Sequence, residues 1–70
     1  MIKIRYKVTT PLGVFYGRVF QVANDDELDL LISQLMESDV EVFRFRSQED
    51  GHVILRPEVL KHSIIEIEIF

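Results

Sequence analysis

Seventy residues, a net charge of −4 and no cysteine make one domain that neither a disulfide nor a thiolate metal site can staple. A chain this short hides only about 60% of its unfolded surface, so its core alone supplies roughly 3–5 kcal/mol. The mild acidity argues against a dedicated nucleic-acid binder, and 47% apolar content is generous for one helix on one sheet. That surplus points to a second apolar surface buried between subunits.

The opening MIKIRYK alternates, unlike the ordered blocks of a signal peptide, and no apolar run nears the ~18 residues of a membrane span. A cytoplasmic protein is expected, with no membrane partner. Ile2, Ile4, Tyr6 and Val8 alternate with Lys3, Arg5 and Lys7, a half-buried strand with one basic face. Thr10 to Gly13 reads as a turn. Val14 to Val22 follows as a second strand whose alternation is impure: Phe15 and Val19 point one way, Tyr16, Phe20 and Val22 the other. Gly17 in its middle suggests a bulge or a close backbone approach.

Asn24 to Ser38 carries Leu28, Leu31, Ile32, Leu35 and Met36 at helical spacing, the stripe of a helix with one buried face. Asn24 as N-cap with Glu27 three residues on makes a capping box, and Asp25, Asp26 and Glu27 complement the helix dipole. Val40 to Arg46 is a third strand, and Glu49, Asp50 and Gly51 supply an Asp-Gly hairpin signal. His52 to Arg56 is a fourth, stopped by Pro57, which opens an irregular or helical turn to Lys61. Ser63 to Phe70 closes the chain, with Ile65, Ile67 and Ile69 alternating with Glu66 and Glu68. The basic face of the first strand matches the acidic face of the last, which places the terminal strands side by side. The expected fold is α+β, a single helix packed on a mainly antiparallel sheet in the order ββαβββ, spanning 1–70 as one domain.

No catalytic constellation, metal-ligand spacing or cofactor motif stands out, so neither enzyme activity nor a cofactor is expected. The acidic cluster Asp25, Asp26, Glu27 and Asp29 reads as a solvated helix start. Arg18 sits mid-strand among aromatics, Arg44 and Arg46 share a face, and Arg56 closes the fourth strand. With Tyr16 they form a candidate site for a planar or anionic group, because arginine over aromatic rings holds such groups well. The plainer reading is an exposed face salted by Glu41 and Glu49. Leu30 lies off the helical stripe, and with Phe15, Val19 and Phe70 it marks a candidate interface between subunits.

The closing segment RPEVLKHSIIEIEIF, a proline-started turn and a strand, resembles those of very small cytosolic proteins of phages and mobile elements of Gram-positive bacteria. That resemblance implies an accessory protein that binds, inhibiting a host protein or sequestering a small anionic, nucleotide-like signal. The favoured expectation is a non-catalytic homo-oligomer of this kind. The alternatives are a single-stranded nucleic-acid binder using Lys3, Arg5, Lys7 and Tyr6, or a purely structural assembly subunit.

Overall fold

The structure, a computed structural model, describes residues 1–37 and 42–70. In chain order the elements are β1 (Ile2–Thr10), β2 (Gly13–Tyr16), β3 (Phe20–Val22), α1 (Asp25–Glu37), β4 (Phe43–Arg46), β5 (His52–Leu55), α2 (Pro57–Leu60) and β6 (Ile64–Ile69). β1 is the central strand. β2 and β3 run along one of its edges and β6 along the other, all antiparallel, while β4 and β5 pair with each other as a separate hairpin. The α+β class with one main helix and antiparallel strands is therefore what forms. The single sheet in the order ββαβββ is not: the expected second strand is broken in two, and the strands after α1 divide between two sheets. The expected starts of the third strand at Val40 and end of the helix at Ser38 fall outside the described residues, as does Glu41.

A bulge causes the break. Lys7 pairs with Tyr16 and Ile4 with Phe20, so Arg5 and Tyr6 on β1 face Gly17, Arg18 and Val19. One extra residue reverses the side-chain alternation. Phe15, opposite Val8, and Phe20 and Val22, opposite Ile4 and Ile2, therefore all take the core side, and Tyr16 takes the other. The impure pattern of this segment is a regular one with a phase shift at Gly17. At the same corner Gly17 bridges to Ser47, and the Arg18 N–H donates to the Arg46 carbonyl at 2.9 Å. The β4–β5 hairpin thus joins the main sheet at the bulge. A Cβ on Gly17 would lie 3.2 Å from Phe45 Cδ2, so only glycine lets the hairpin approach this closely without displacement.

The core has two halves. Ile4, Val22 and Leu28 are buried beneath α1 with Ile2, Leu31, Ile32 and Ile67 around them. Val8, Phe43, Phe45 and Leu55 form the other half, where the inner face of β4–β5 lies against β1. Ile4 and Val8 are fully buried, one in each half. The start of α1 is capped much as expected: Asn24 Oδ1 accepts from the Glu27 N–H at 2.9 Å. The Glu27 carboxylate reaches back to the Ala23 N–H at 2.9 Å, one residue earlier than in a regular capping box. The buried stripe ends at Leu35, for Met36 is 81% exposed rather than part of it. Among the described residues, no helix is long and apolar enough to cross a membrane.

The terminal strands are adjacent, with Arg5 opposite Glu68 and Lys7 opposite Glu66. Arg5 Nε donates to Glu68 Oε1 at 2.7 Å. The β4–β5 loop departs from a two-residue Asp-Gly turn. The Ser47 N–H donates to the Gly51 carbonyl at 2.8 Å, and Asp50 (φ 65°) takes the left-handed position. Ser47 Oγ closes the loop by accepting from the Glu49 and Gly51 N–H groups. Pro57 opens α2 at its first turn, directly after Arg56.

Candidate functional site

The bulge and the hairpin together gather the aromatic side chains. Tyr6 lies 5.6 Å from Phe20, 5.4 Å from Phe43 in an edge-on arrangement, and 6.1 Å from Phe45, centroid to centroid. These separations suit tilted and T-shaped ring contacts. Where Tyr6, Phe20 and Phe45 meet the bulge they wall a cleft of about 220 Å³, and Arg18 and Arg46 complete its lining. Phe20 is itself 36% exposed.

Each arginine has a reason for its place. Arg18 sits in the bulge, and its Nη2 pairs with Asp50 Oδ1 at 2.8 Å across the corner. That contact is well exposed on both sides, so it orients the side chain more than it stabilises the fold. Arg46 alternates with buried Phe45 on β4 and so projects from the solvent side of the hairpin. Burial pushes the Tyr6 hydroxyl above its ordinary pKa of 10.0 by desolvation, so it is a neutral donor at physiological pH. Two arginines and three aromatic residues line the cleft. Chemically that suits a planar group carrying negative charge.

The five residues expected to bind a ligand are divided. Arg18 and Arg46 come together at the cleft. Arg44 shares the outer face of β4 with Arg46, opposite Ile54 of β5, and Arg56 follows in extended backbone just beyond β5. Both are exposed, neither lines the cleft, and the ion pairs among the described residues are Arg5–Glu68 and Arg18–Asp50. Tyr16 lies elsewhere. It is on the opposite face of the main sheet, with the Arg5 guanidinium 4.5 Å over its ring. The other flank of Arg5 is the Phe70 ring at 5.1 Å.

The four residues expected at an interface also separate. Phe15 packs against the core half built on Val8, a place that follows from the bulge reversing its phase relative to Val19. Val19 is exposed in the bulge itself, Leu30 is exposed on α1, and Phe70 is exposed beyond β6. Lys3, Arg5 and Lys7 share a face, but Tyr6 points the other way into the aromatic cluster, and Arg5 is held by Glu68. Tyr6 is thus absent from the basic face, where the rings beside Arg5 are Tyr16 and Phe70. Among the described residues, no group of three or more His, Asp or Glu side chains is placed to hold a metal ion.

Tyr6, Phe20 and Phe45 are the site residues that sequence reasoning missed. The signal that would have found them is Gly17: a one-residue bulge there moves Phe20 onto the face of Tyr6. Comparison with protein-family models, with curated proteins and with solved structures finds no match to this chain. What fold and cleft define is a class: a small α+β protein with an arginine-lined aromatic cleft at the junction of two sheets.

Proposed function

We propose that this is a non-catalytic binding protein that holds a planar, anionic ligand between Arg18 and Arg46. The observation that supports this reading is the cleft itself, in which two cationic side chains border three aromatic walls. At about 220 Å³ the cleft is smaller than the 300–1,000 Å³ typical of sites that engulf a drug-sized molecule. It suits one ring system, with the charged part of the ligand outside against the guanidiniums. A nucleotide has that shape, in keeping with the sequestered signal that the closing segment's resemblance implies.

Adenosine monophosphate is the first probe, with adenosine and inorganic phosphate as its separated halves. The monophosphate should shift the amide resonances of Arg18, Arg46 and Phe45 in a saturable way, and each half should bind at least about tenfold more weakly. Replacing Arg18 and Arg46 with glutamine should abolish that binding with little change in melting temperature, since both side chains are solvent-facing. Substituting Arg44 and Arg56 instead should leave it unchanged. Binding that survives loss of Arg18 and Arg46 would sink the assignment.

Self-association is the second part of the proposal. The chain leaves Val19, Leu30, Ile54, Ile64, Ile69 and Phe70 each 47% or more exposed, more large apolar surface than a lone small domain needs.

A further inference from the structure

β6 has one edge on β1 and one edge that no described strand pairs. The phase of the ladder fixes which groups point outward. The Phe70 N–H donates to the Lys3 carbonyl at 2.9 Å, and the Tyr6 carbonyl is used by Gly17 on the far side of β1. Phe70, Glu68 and Glu66 therefore exchange hydrogen bonds with β1, whereas Ile65, Ile67 and Ile69 aim their N–H and C=O groups away from it. This free edge borders a groove of about 400 Å³ between β6 and α1, lined by Ile32, Leu35, Met36, Ile65 and Ile67. Backbone partners and apolar pockets thus coincide along the same strand, the combination that recruits an extended peptide by β-augmentation.

The charge on the other face says what kind of strand fits. Glu66 and Glu68 stand on the side away from the groove, and Glu66 has no ion-pair partner among the described residues. β6 already pairs on its inner edge with a strand that alternates apolar and basic residues, Ile4-Arg5-Tyr6-Lys7-Val8. A second copy of β6 does not meet that requirement. Antiparallel self-pairing centred on Ile67 sets Glu66 of one copy against Glu68 of the other, and a two-residue shift sets Glu66 against Glu66. Charge thus selects a foreign strand over a second β6.

We propose that the free edge of β6 is a docking site for an extended segment of a partner protein in which apolar and basic residues alternate. The apolar side chains enter the groove beside Met36, and the basic ones reach Glu66, whereas Glu68 is already held by Arg5. This surface is separate from the arginine cleft, and the proposal stands or falls without it.

Hydrogen exchange followed residue by residue tests it, with a short peptide alternating lysine and valine as probe and a glutamate–valine peptide as control. In the free protein the Ile65, Ile67 and Ile69 amides should exchange fast and the Glu66 and Glu68 amides slowly. The lysine peptide should slow the three isoleucine amides, and the glutamate peptide should bind at least about tenfold more weakly. Met36→Glu should weaken the lysine peptide about tenfold with the melting temperature held, because that side chain is 81% exposed. Glu66→Gln should weaken it less while leaving the groove intact. Equal binding of both peptides, protection elsewhere in the molecule, or protection of these amides by self-association alone would overturn the proposal.

Discussion

Gly17 shows how one residue can set both a fold and a site. Its missing side chain lets Phe45 come against the bulge, and the extra residue it introduces turns Phe20 toward Tyr6. Gly17→Ala would place a methyl 3.2 Å from the Phe45 ring and 3.4 Å from the Tyr6 Cβ and backbone nitrogen. The ring edge can yield; the β1 backbone yields much less. Overpacking of this sort costs about 1–3 kcal/mol, against about 0.4–1 kcal/mol returned by a stiffer unfolded chain. The substitution should therefore destabilise by roughly 1 kcal/mol, read as a lower urea midpoint at constant slope.

Tyr6 offers a second test at the same scale. Burial raises its folded pKa above 10.0, so the folded state keeps the phenol proton more firmly than the unfolded state does. Its contribution to stability is thus complete below pH 10 and is lost as pH climbs through the raised value. Urea midpoints taken across the alkaline range should fall less steeply for Tyr6→Phe than for the unaltered protein. Curves of identical slope would show that the phenol is solvated.

Among the elements, α1 was the most legible from sequence, because its signals are local. The spacing of Leu28, Leu31, Ile32 and Leu35 and the Asn24 cap need no knowledge of the rest of the chain. Asn24→Ala removes the acceptor for the Glu27 N–H and should cost about 1 kcal/mol. Helicity followed by circular dichroism through thermal unfolding would show it as a lower melting temperature, by roughly 4–8 °C for a domain of this size. The pairing of β1 with β6 was also legible, since it is written in opposite charges on facing strands. The cleft was not. Its walls come from β1, β3 and β4, and only the bulge decides that Phe20 and Phe45 converge on Tyr6. Gly17 signals a bulge or a close approach, but the alternation read in one phase across it makes Phe15 an outer residue and Tyr16 a neighbour of Arg18. Met36 sits on the helical stripe by spacing alone, yet nothing described covers it.

At the scale of the whole molecule, surface area argues for company. A monomer of 8.2 kDa ordinarily exposes about 4,500 Å². This chain exposes 5206 Å², an excess of about 700 Å², close to the ~800 Å² that one partner buries in a standard interface. Two of the exposed apolar side chains, one on α1 and one on the outer sheet face, offer a place for that contact. Leu30 is 59% exposed and borders a groove with Phe20, Val22 and Leu31, and Phe70 is 63% exposed on the far face of the sheet beside Arg5. Self-pairing through β6 opposes like charges, so we place a second copy at the groove by Leu30 or at the face by Phe70. Sedimentation velocity across a range of concentrations should then show reversible association. Leu30→Glu should abolish it if the α1 groove is the contact, and Phe70→Glu if the outer sheet face is, each leaving the monomer folded because neither side chain is buried. A monomer at every concentration would mean that the apolar surplus serves another protein, and would leave the β6 edge as the strongest claim to a partner.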